Sequence, residues 1–370
     1  MKVVHLTSVH PPFDTRIFHK EAKTLHQAGY RVVLIVPDVC DIQVIDGVHI
    51  KTIKPSDNRF LRFTCTMWQI YKAARREAAE LYHFHDPELL LVGWLLGLQG
   101  KKVIYDVHED VPKDILAKHW VPKWMRKWIA KLVGSLELLV VHCLAGVVAA
   151  TPAIARRFPA SKTVVVQNFP IPDEPSWKNE ISVYKNRSNK MVYVGALTPN
   201  RGAYQMIEAV SRTPPDFQAQ LVLAARFAPA GLLDELRLLD AWKTVSFLGW
   251  LSREQVRKVL RKAKVGLVIF HPDPNHIEAQ PNKLFEYMSA GLPVIASDFP
   301  LWREIVGNEE CGLLVDPLDT QAIAEAIQWL LEHTEDAEEM GKRGRRAVET
   351  RYNWELEAHK LLKFYEGLLL

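Results

Sequence analysis

Two runs of alternating strand and helix patterns, parted by a proline- and asparagine-rich break, constrain this 370-residue chain more than any other feature. In the first run the short apolar stretches Val3–Thr7, Arg31–Val36, Val48–Ile53, Leu81–Phe84, Lys102–Asp106, Gly146–Ala150 and Val164–Gln167 read as strands. Helical patterns stand between several of them, such as Phe18–Ala28, which Gly29 ends. A strand, a crossover helix and a second strand close into a right-handed unit with parallel strands, because the strand twist allows only that packing. Segment 169–190, with Pro170, Pro172, Pro175, Asn179, Asn186 and Asn189, loses the apolar period and reads as a linker. The alternation then restarts, with strands at Met191–Val194, Gln220–Ala224, Val245–Leu248, Val265–Ile269, Pro293–Ala296 and Gly312–Val315. Helices are expected around Ala203–Ser211, Gly231–Asp240, Arg253–Ala263, Lys283–Ala290 and Thr320–Leu331.

This pattern predicts an α/β protein of two Rossmann-like, doubly wound domains, residues 1–168 and 191–350. A terminal amphipathic helix over 351–370 (Leu356, Leu361, Leu362, Phe364, Tyr365, Leu368) is expected to cross back to the first domain. Ligands of such sheets bind beyond the carboxyl ends of the strands, so the two domains are expected to face each other across a cleft.

Composition narrows the class. At 48% hydrophobic and 24% charged residues the chain is globular and long enough for two cores. A net charge of +4 is too weak to argue nucleic acid, and no basic stripe carries interleaved aromatics outside one tryptophan-bearing segment. Cys40, Cys65, Cys143 and Cys311 lie far apart, match neither a zinc nor a disulfide framework, and are expected to be buried, inert thiols in a reducing compartment. Pro11 and Pro12 interrupt the start before any signal-peptide apolar run. The most hydrophobic stretch, 129–150, contains Lys131, Glu137 and His142, each costly in lipid. A cytoplasmic protein without a membrane-spanning anchor is expected.

The most informative segment begins at Glu278 and runs AQPNKLFE to Glu286, then YMSAGLPVIASD to Asp298. Two glutamates eight apart bracket a loop-to-helix transition. Pro281 suits the first turn, where its missing N–H is no loss. The N–H groups of residues 282–284 then favour an anion such as a diphosphate. Glu278, in the loop, can accept hydrogen bonds from sugar hydroxyls, and Glu286, one turn into the helix, can hold a ribose diol. A plain surface helix with two solvated acids would not account for the proline, the Gly291 stop and the buried strand that follows.

This segment resembles the retaining glycosyltransferases of family 4, which have the GT-B fold. The opening HLTSVHPPFDTRIFHKEAKTL, then HFHDPELL, VIYDVHED, YVGALTPNRG and the closing RYNWELEAHKLL are similar to the same family in the same order, notably to its polysaccharide-assembly branch. The resemblance implies transfer of a sugar from a nucleotide-diphosphate sugar, UDP ahead of GDP, to a glycan or polyprenyl-linked acceptor, without a metal or other cofactor. It implies that His108, in the loop after Lys102–Asp106, and Glu278 act at the donor sugar. Asn282, Lys283, Leu284 and Glu286 would bind the donor together with Gly195 and Arg201 of YVGALTPNRG, Arg226 after the next strand, and Trp250 near the nucleobase. The family pattern has an arginine where this chain has Ala196, and a lysine where it has Arg201; Lys283, Arg226 or Arg16 are candidates to make up the missing charge. Asp14, Arg16, His85 and Glu109 are expected on the acceptor side. His83 and His85 share a strand face with Asp86 nearby and mimic metal ligands, but a structural or acceptor-side role is expected instead.

Between Lys118 and Lys131 the chain reads KHWVPKWMRKWIAK, with Trp120, Trp124 and Trp128 at four-residue spacing and Lys123 and Lys127 beside them. Tryptophans and cations at helical spacing suit a helix resting on anionic lipid, and a core helix with solvated lysines is the plain alternative. Two other classes stay open: an epimerase of the same fold, which would act without an acceptor, and an inactive sugar-binding protein, for which Ala196 is the one supporting feature.

Overall fold

The structure, a computed structural model, describes residues 1–38, 43–55, 62–117, 121–171 and 184–369. The chain forms two compact units, Met1–Asn168 with Trp354–Leu370, and Phe169–Asn353.

The first unit is built on an eight-stranded sheet: β1 (Lys2–Leu6), β2 (Arg31–Pro37), β3 (Val44–Ile45), β4 (Val48–Ile53), β5 (Leu81–Phe84), β6 (Lys102–Val107), β7 (Gly146–Ala149) and β8 (Thr163–Val165). Their order is β3-β4-β2-β1-β5-β6-β7-β8, parallel throughout except for β3 against β4. The central strands are continuous apolar runs, as sheets covered on both faces require. His5, His83 and Asp106 interrupt that rule while fully buried. The edge strand β3 was not foreseen. Its signal is the pair Asp46-Gly47, both at positive φ, the two-residue hairpin turn that matches strand twist.

The second unit carries six parallel strands: β9 (Lys190–Leu197), β10 (Gln220–Phe227), β11 (Val245–Phe247), β12 (Val265–Val268), β13 (Val294–Ser297) and β14 (Gly312–Val315), in the order β11-β10-β9-β12-β13-β14. A 17-residue helix, Thr334–Thr350, was also unforeseen. Its buried face is Ala337, Gly341, Gly344, Ala347 and Val348, so it shows no stripe of large apolar residues. The glycines are needed there: a Cβ on Gly341 would stand 2.3 Å from the Gly291 carbonyl oxygen.

Both sheets are doubly wound, and each has a point where strand order reverses, between β1 and β5 and between β9 and β12. Ligands bind in the crevice outside the carboxyl ends at such points. The terminal helix Trp354–Leu369 packs on the first unit: the Trp354 indole donates to Thr24 Oγ1 and Glu357 accepts the Gln167 N–H. The cysteines correct the expectation of buried thiols. Cys65 and Cys143 are exposed; only Cys311 is buried among the described residues, its thiol pushed up to about 12 mainly by burial. Cys40 lies outside the described residues.

Candidate functional site

In the second unit the crevice opens because β9 and β12 pair only as far as Val192 and Gly266. Beyond that the Val194 N–H finds no strand and donates instead to the Tyr287 hydroxyl, 2.9 Å away. Tyr287 belongs to the helix Asn282–Ser289, which begins at Pro281, an extended N-cap without a side-chain cap. The Leu284 N–H is donated to the Pro281 carbonyl. The N–H groups of this turn that could meet an anion are therefore those of Asn282 and Lys283, and Leu284, expected among them, is a buried packing residue.

Lys283 is buried, its Nζ has no hydrogen-bond partner, and it stands 3.8 Å from the Tyr193 ring centroid and 5.2 Å from that of Phe270. Burial, reinforced by Arg201, pushes its pKa well below the ordinary lysine value, against the pull of Glu286. Gly195, at φ +107°, leaves the space over that ammonium open: a Cβ there would sit 3.8 Å from Lys283 Nζ. Arg201 donates to the Ala196 carbonyl (3.0 Å) and covers Phe270. Its loop is tied down by Asn200, whose amide donates to Asp273, and by Gly202, where a Cβ would meet the Ile269 carbonyl at 2.2 Å. Lys283, Arg201, Gly195 and the helix start thus converge on one spot.

Glu278 caps the short helix Pro274–Ile277 and is half-buried, three residues before Pro281. The Ala279 carbonyl next to it accepts from the indole of the fully buried Trp302, which anchors the loop. Glu286 is half-buried one turn into the helix. Arg226 stands in register with Ala196 on the neighbouring strand, with its guanidinium 4.9 Å from the ring of Trp250, itself 60% exposed. The cation absent at position 196 is therefore present one strand away. Phe270, Tyr287 and Trp302 went unnoticed because each reads in sequence as an ordinary core aromatic.

In the first unit the crevice is lined by the ends of β1, β5 and β6. Asp86 accepts the Thr7 hydroxyl (2.7 Å) and the Ser8 N–H (2.6 Å), and pairs with His10 at 3.3 Å. Asp14 caps the next helix through the N–H groups of Arg16 and Ile17 and also pairs with His10. Burial opposes a charge on His10, but hydrogen bonds to Asp14 and Asp86 prevail and raise its pKa to about 10. Burial likewise opposes a charge on Asp86, yet His10 holds it at about 2. His10, not anticipated, is the cation of this crevice.

His108 is partly exposed and bonds through Nε2 to Asp106 Oδ2 at 2.7 Å; Glu109 beside it is exposed. Two expectations are corrected here. Arg16 cannot reach a phosphate: it is buried, bidentate on Asp106 (3.0 and 2.8 Å), and donates to the Val166 carbonyl. His85 does not line the acceptor side either. It is buried behind His108 and bonds to Asp106 (3.0 Å) and His5 (2.9 Å). Donor atoms of His5, Glu21, His83 and His85 all lie within 4.8 Å of one another, as do those of His85, Asp106 and His108. Asp106, the hub of both sets of bonds, was missed because it reads as the polar end of a strand.

On the helix Lys123–Cys143, Trp124 is 75% exposed, Trp128 73% and Leu132 70%, and Leu136 and Leu139 continue the stripe. Beside it packs the helix Leu90–Leu98, where a Cβ on Gly97 would stand 3.0 Å from the Cys143 carbonyl; its Leu91, Trp94 and Leu98 are also exposed. Trp120 and Lys118 lie outside the described residues. Among those described, no helix is long and apolar enough to cross a membrane.

Comparison with known proteins fits this geometry. Residues 176–347 match the model of glycosyl transferases group 1, and residues 15–169 that of glycosyltransferase family 4. The chain belongs to these glycosyltransferases, of the GT-B fold. It is 27% identical over 185 residues to an MMP alpha-(1->4)-mannosyltransferase of Mycolicibacterium hassiacum, covering 49% of this chain and 43% of that protein. The chain thus spans less than half of that relative. It is 25% identical over 415 residues to the alpha-maltose-1-phosphate synthase of Mycolicibacterium smegmatis, covering 99% of each. The crystal structure of HepE of Anabaena with UDP-glucose superposes with a TM-score of 0.75 at 15% identity, over 99% of this chain and all of that one.

Proposed function

We propose that this glycosyltransferase moves a hexosyl group from a nucleotide-diphosphate sugar, UDP ahead of GDP, to a lipid-linked or polysaccharide-precursor glycan, with retention at the anomeric carbon. The observation that carries this reading is the buried Lys283 side chain, whose Nζ has no hydrogen-bond partner, beside a helix start and Arg201. A buried cation of that kind is costly unless an anion comes to it. The bond from the anomeric carbon to the phosphate oxygen breaks while a bond to the acceptor oxygen forms on the same face. The acceptor's proton passes to the departing phosphate oxygen, and the nucleoside diphosphate leaves. Lys283, Arg201 and the N–H groups of the helix start stabilise the charge that develops on the leaving diphosphate. Glu278 accepts from hydroxyls of the donor sugar and orients it, and His108 bonds a sugar hydroxyl. Glu286 holds the ribose, and Arg226 with Trp250 flanks the base. The scheme draws on groups of the chain itself and needs no metal or other cofactor. The mannosyltransferase and alpha-maltose-1-phosphate synthase relatives support the reaction class, and the UDP-glucose bound by HepE supports the donor class.

The test is a panel of UDP- and GDP-sugars scored by thermal stabilisation, since a ligand that binds only the native state raises the melting point. The best donor is then offered glycan acceptors, with Glu278→Gln alongside. Nucleotide release that depends on acceptor, and falls by about 10²-fold or more in Glu278→Gln, is expected. Undiminished turnover in that variant would overturn the assignment, and release without acceptor would favour an epimerase.

We also infer that the first unit rests on an anionic membrane, at the cytoplasmic face of the cell. Trp124, Trp128 and Leu132 are too exposed for core residues, and Lys123, Lys127 and Lys131 flank them at the same levels. Amphipathic helices with this mixture bind headgroups and acyl chains together. Trp124→Ser with Trp128→Ser is expected to cut co-sedimentation with vesicles rich in anionic lipid at least tenfold. Equal binding by the variant would dismiss the patch.

A further inference from the structure

Behind His108 lies a buried polar group that the transfer scheme does not use. His83 Nδ1 is 2.6 Å from the Tyr365 hydroxyl, which is 3.5 Å from His5 Nε2. His5 Nδ1 is 2.9 Å from His85 Nε2, His85 Nδ1 is 3.0 Å from Asp106 Oδ2, and the same oxygen is 2.7 Å from His108 Nε2. We propose that Asp106 is a positioning residue that fixes His108 in one tautomer, held to that task by a one-way chain of hydrogen bonds from His83 through Tyr365, His5 and His85.

The direction of the chain follows from what each atom can do. A carboxylate only accepts, so His85 Nδ1 and His108 Nε2 must both carry hydrogen. Burial, the largest influence on His5, His83 and His85, pushes all three imidazoles down, so each ring is neutral and has one N–H. His85 Nε2 is then bare and accepts from His5 Nδ1. His5 Nε2 is bare in turn and accepts the Tyr365 hydroxyl, whose oxygen accepts from His83 Nδ1. Each of these hydrogens has one place, and the protonated Glu21, 4.0 Å from His83 Nδ1 and from His85 Nδ1, stands outside the chain. Burial alone would raise the Asp106 carboxyl, but Arg16, His108 and His85 prevail and hold it well below the usual range, so the acceptor at the end of the chain is ionised. The bidentate Arg16 keeps the carboxylate from turning.

Resting on the proposed function, the consequence is that His108 turns a bare Nδ1, a hydrogen-bond acceptor, towards its sugar. The sugar hydroxyl at that position must donate, and a deoxy or fluoro substituent there loses the contact.

The experiment uses the full chain labelled with ¹⁵N-histidine, read by long-range ¹H–¹⁵N correlation near pH 7.5, with single His→Gln variants for assignment. His108 is expected as the Nε2–H form, and His5, His83 and His85 as Nδ1–H. Free imidazole prefers Nε2–H, so three rings in the rarer form would not arise by default. Asp106→Asn is expected to leave His108 a mixture of forms. Because that variant can fail to fold, Tyr365→Phe, which removes one oxygen, is expected to convert His83 to a mixture while His5, still donating to His85, stays Nδ1–H. His108 as Nδ1–H or as a mixture in the wild type would overturn the proposal, as would an unchanged His83 signal in Tyr365→Phe. These readouts need no substrate, so a failure of the glycosyl-transfer reading would register separately, as absent turnover with the tautomers intact.

Discussion

Lys283→Met is expected to raise the melting temperature of the ligand-free protein while lowering transfer by about 10²–10³-fold. The two effects have one cause. The Nζ is buried without a hydrogen-bond partner, lies over two aromatic rings, and has Arg201 as its charged neighbour. Keeping a polar group there unsatisfied costs on the order of 1–3 kcal/mol, which methionine of similar shape avoids. The same substitution removes the charge that meets the leaving diphosphate, so stabilisation by the nucleotide sugar should shrink with turnover. Differential scanning calorimetry with and without donor reads one half, and steady-state kinetics the other. A variant less stable than wild type that turns over normally would make Lys283 a packing residue.

Acid is expected to unfold the first unit well before its carboxylates titrate. His5, His83 and His85 have folded pKa values below the ordinary 6.5, so below that pH the unfolded chain binds three protons that the native fold refuses. Each draws about 1.4 kcal/mol of stability per pH unit, about 4 in all. Glu21 and Glu137 work the other way: burial raises both, with Asp106 adding to Glu21, so the native state keeps their protons and they offset part of the loss. His10, raised to about 10, is charged in both states near pH 5.5 and changes little there. The rings outnumber these carboxyls, so a net loss on the order of 1 kcal/mol per unit is expected just below pH 6.5, set against a typical total of about 5–15. Urea titrations at half-unit steps would measure it. A flat profile between pH 7 and 5 would mean that the buried rings already carry protons in the fold.

The alternation of apolar runs was legible because parallel strands buried on both faces need little beyond such runs, and most strand boundaries fell within a few residues of those expected. The proximity of the candidate donor residues was legible for a related reason: Glu278, Lys283 and Glu286 sit in one short segment, so spacing alone sets their order at a loop-to-helix transition. The first-unit cluster was not, because Asp106, His85, His5 and Tyr365 come from four distant segments that only the sheet register and the terminal helix bring together. Arg16 was misjudged on the same ground. A cation in a loop near a strand end suggests a ligand, and only the fold reveals a carboxylate 90 positions away already holding it. The helix Thr334–Thr350 escaped because its contact face is made of alanine and glycine, which a search for large apolar residues passes over.

The terminal helix has an implication for synthesis. Domains generally fold as they emerge from the ribosome, the amino-terminal one first. Here the second unit is continuous in sequence, whereas the first is interrupted by it and regains Trp354, Leu361 and Tyr365 only from a stretch translated after it. The strands of the first unit, with their histidines, must therefore wait for that helix while the second unit is made, which makes chaperone dependence during translation, and rescue of a truncated chain by the 354–370 peptide, natural properties to look for.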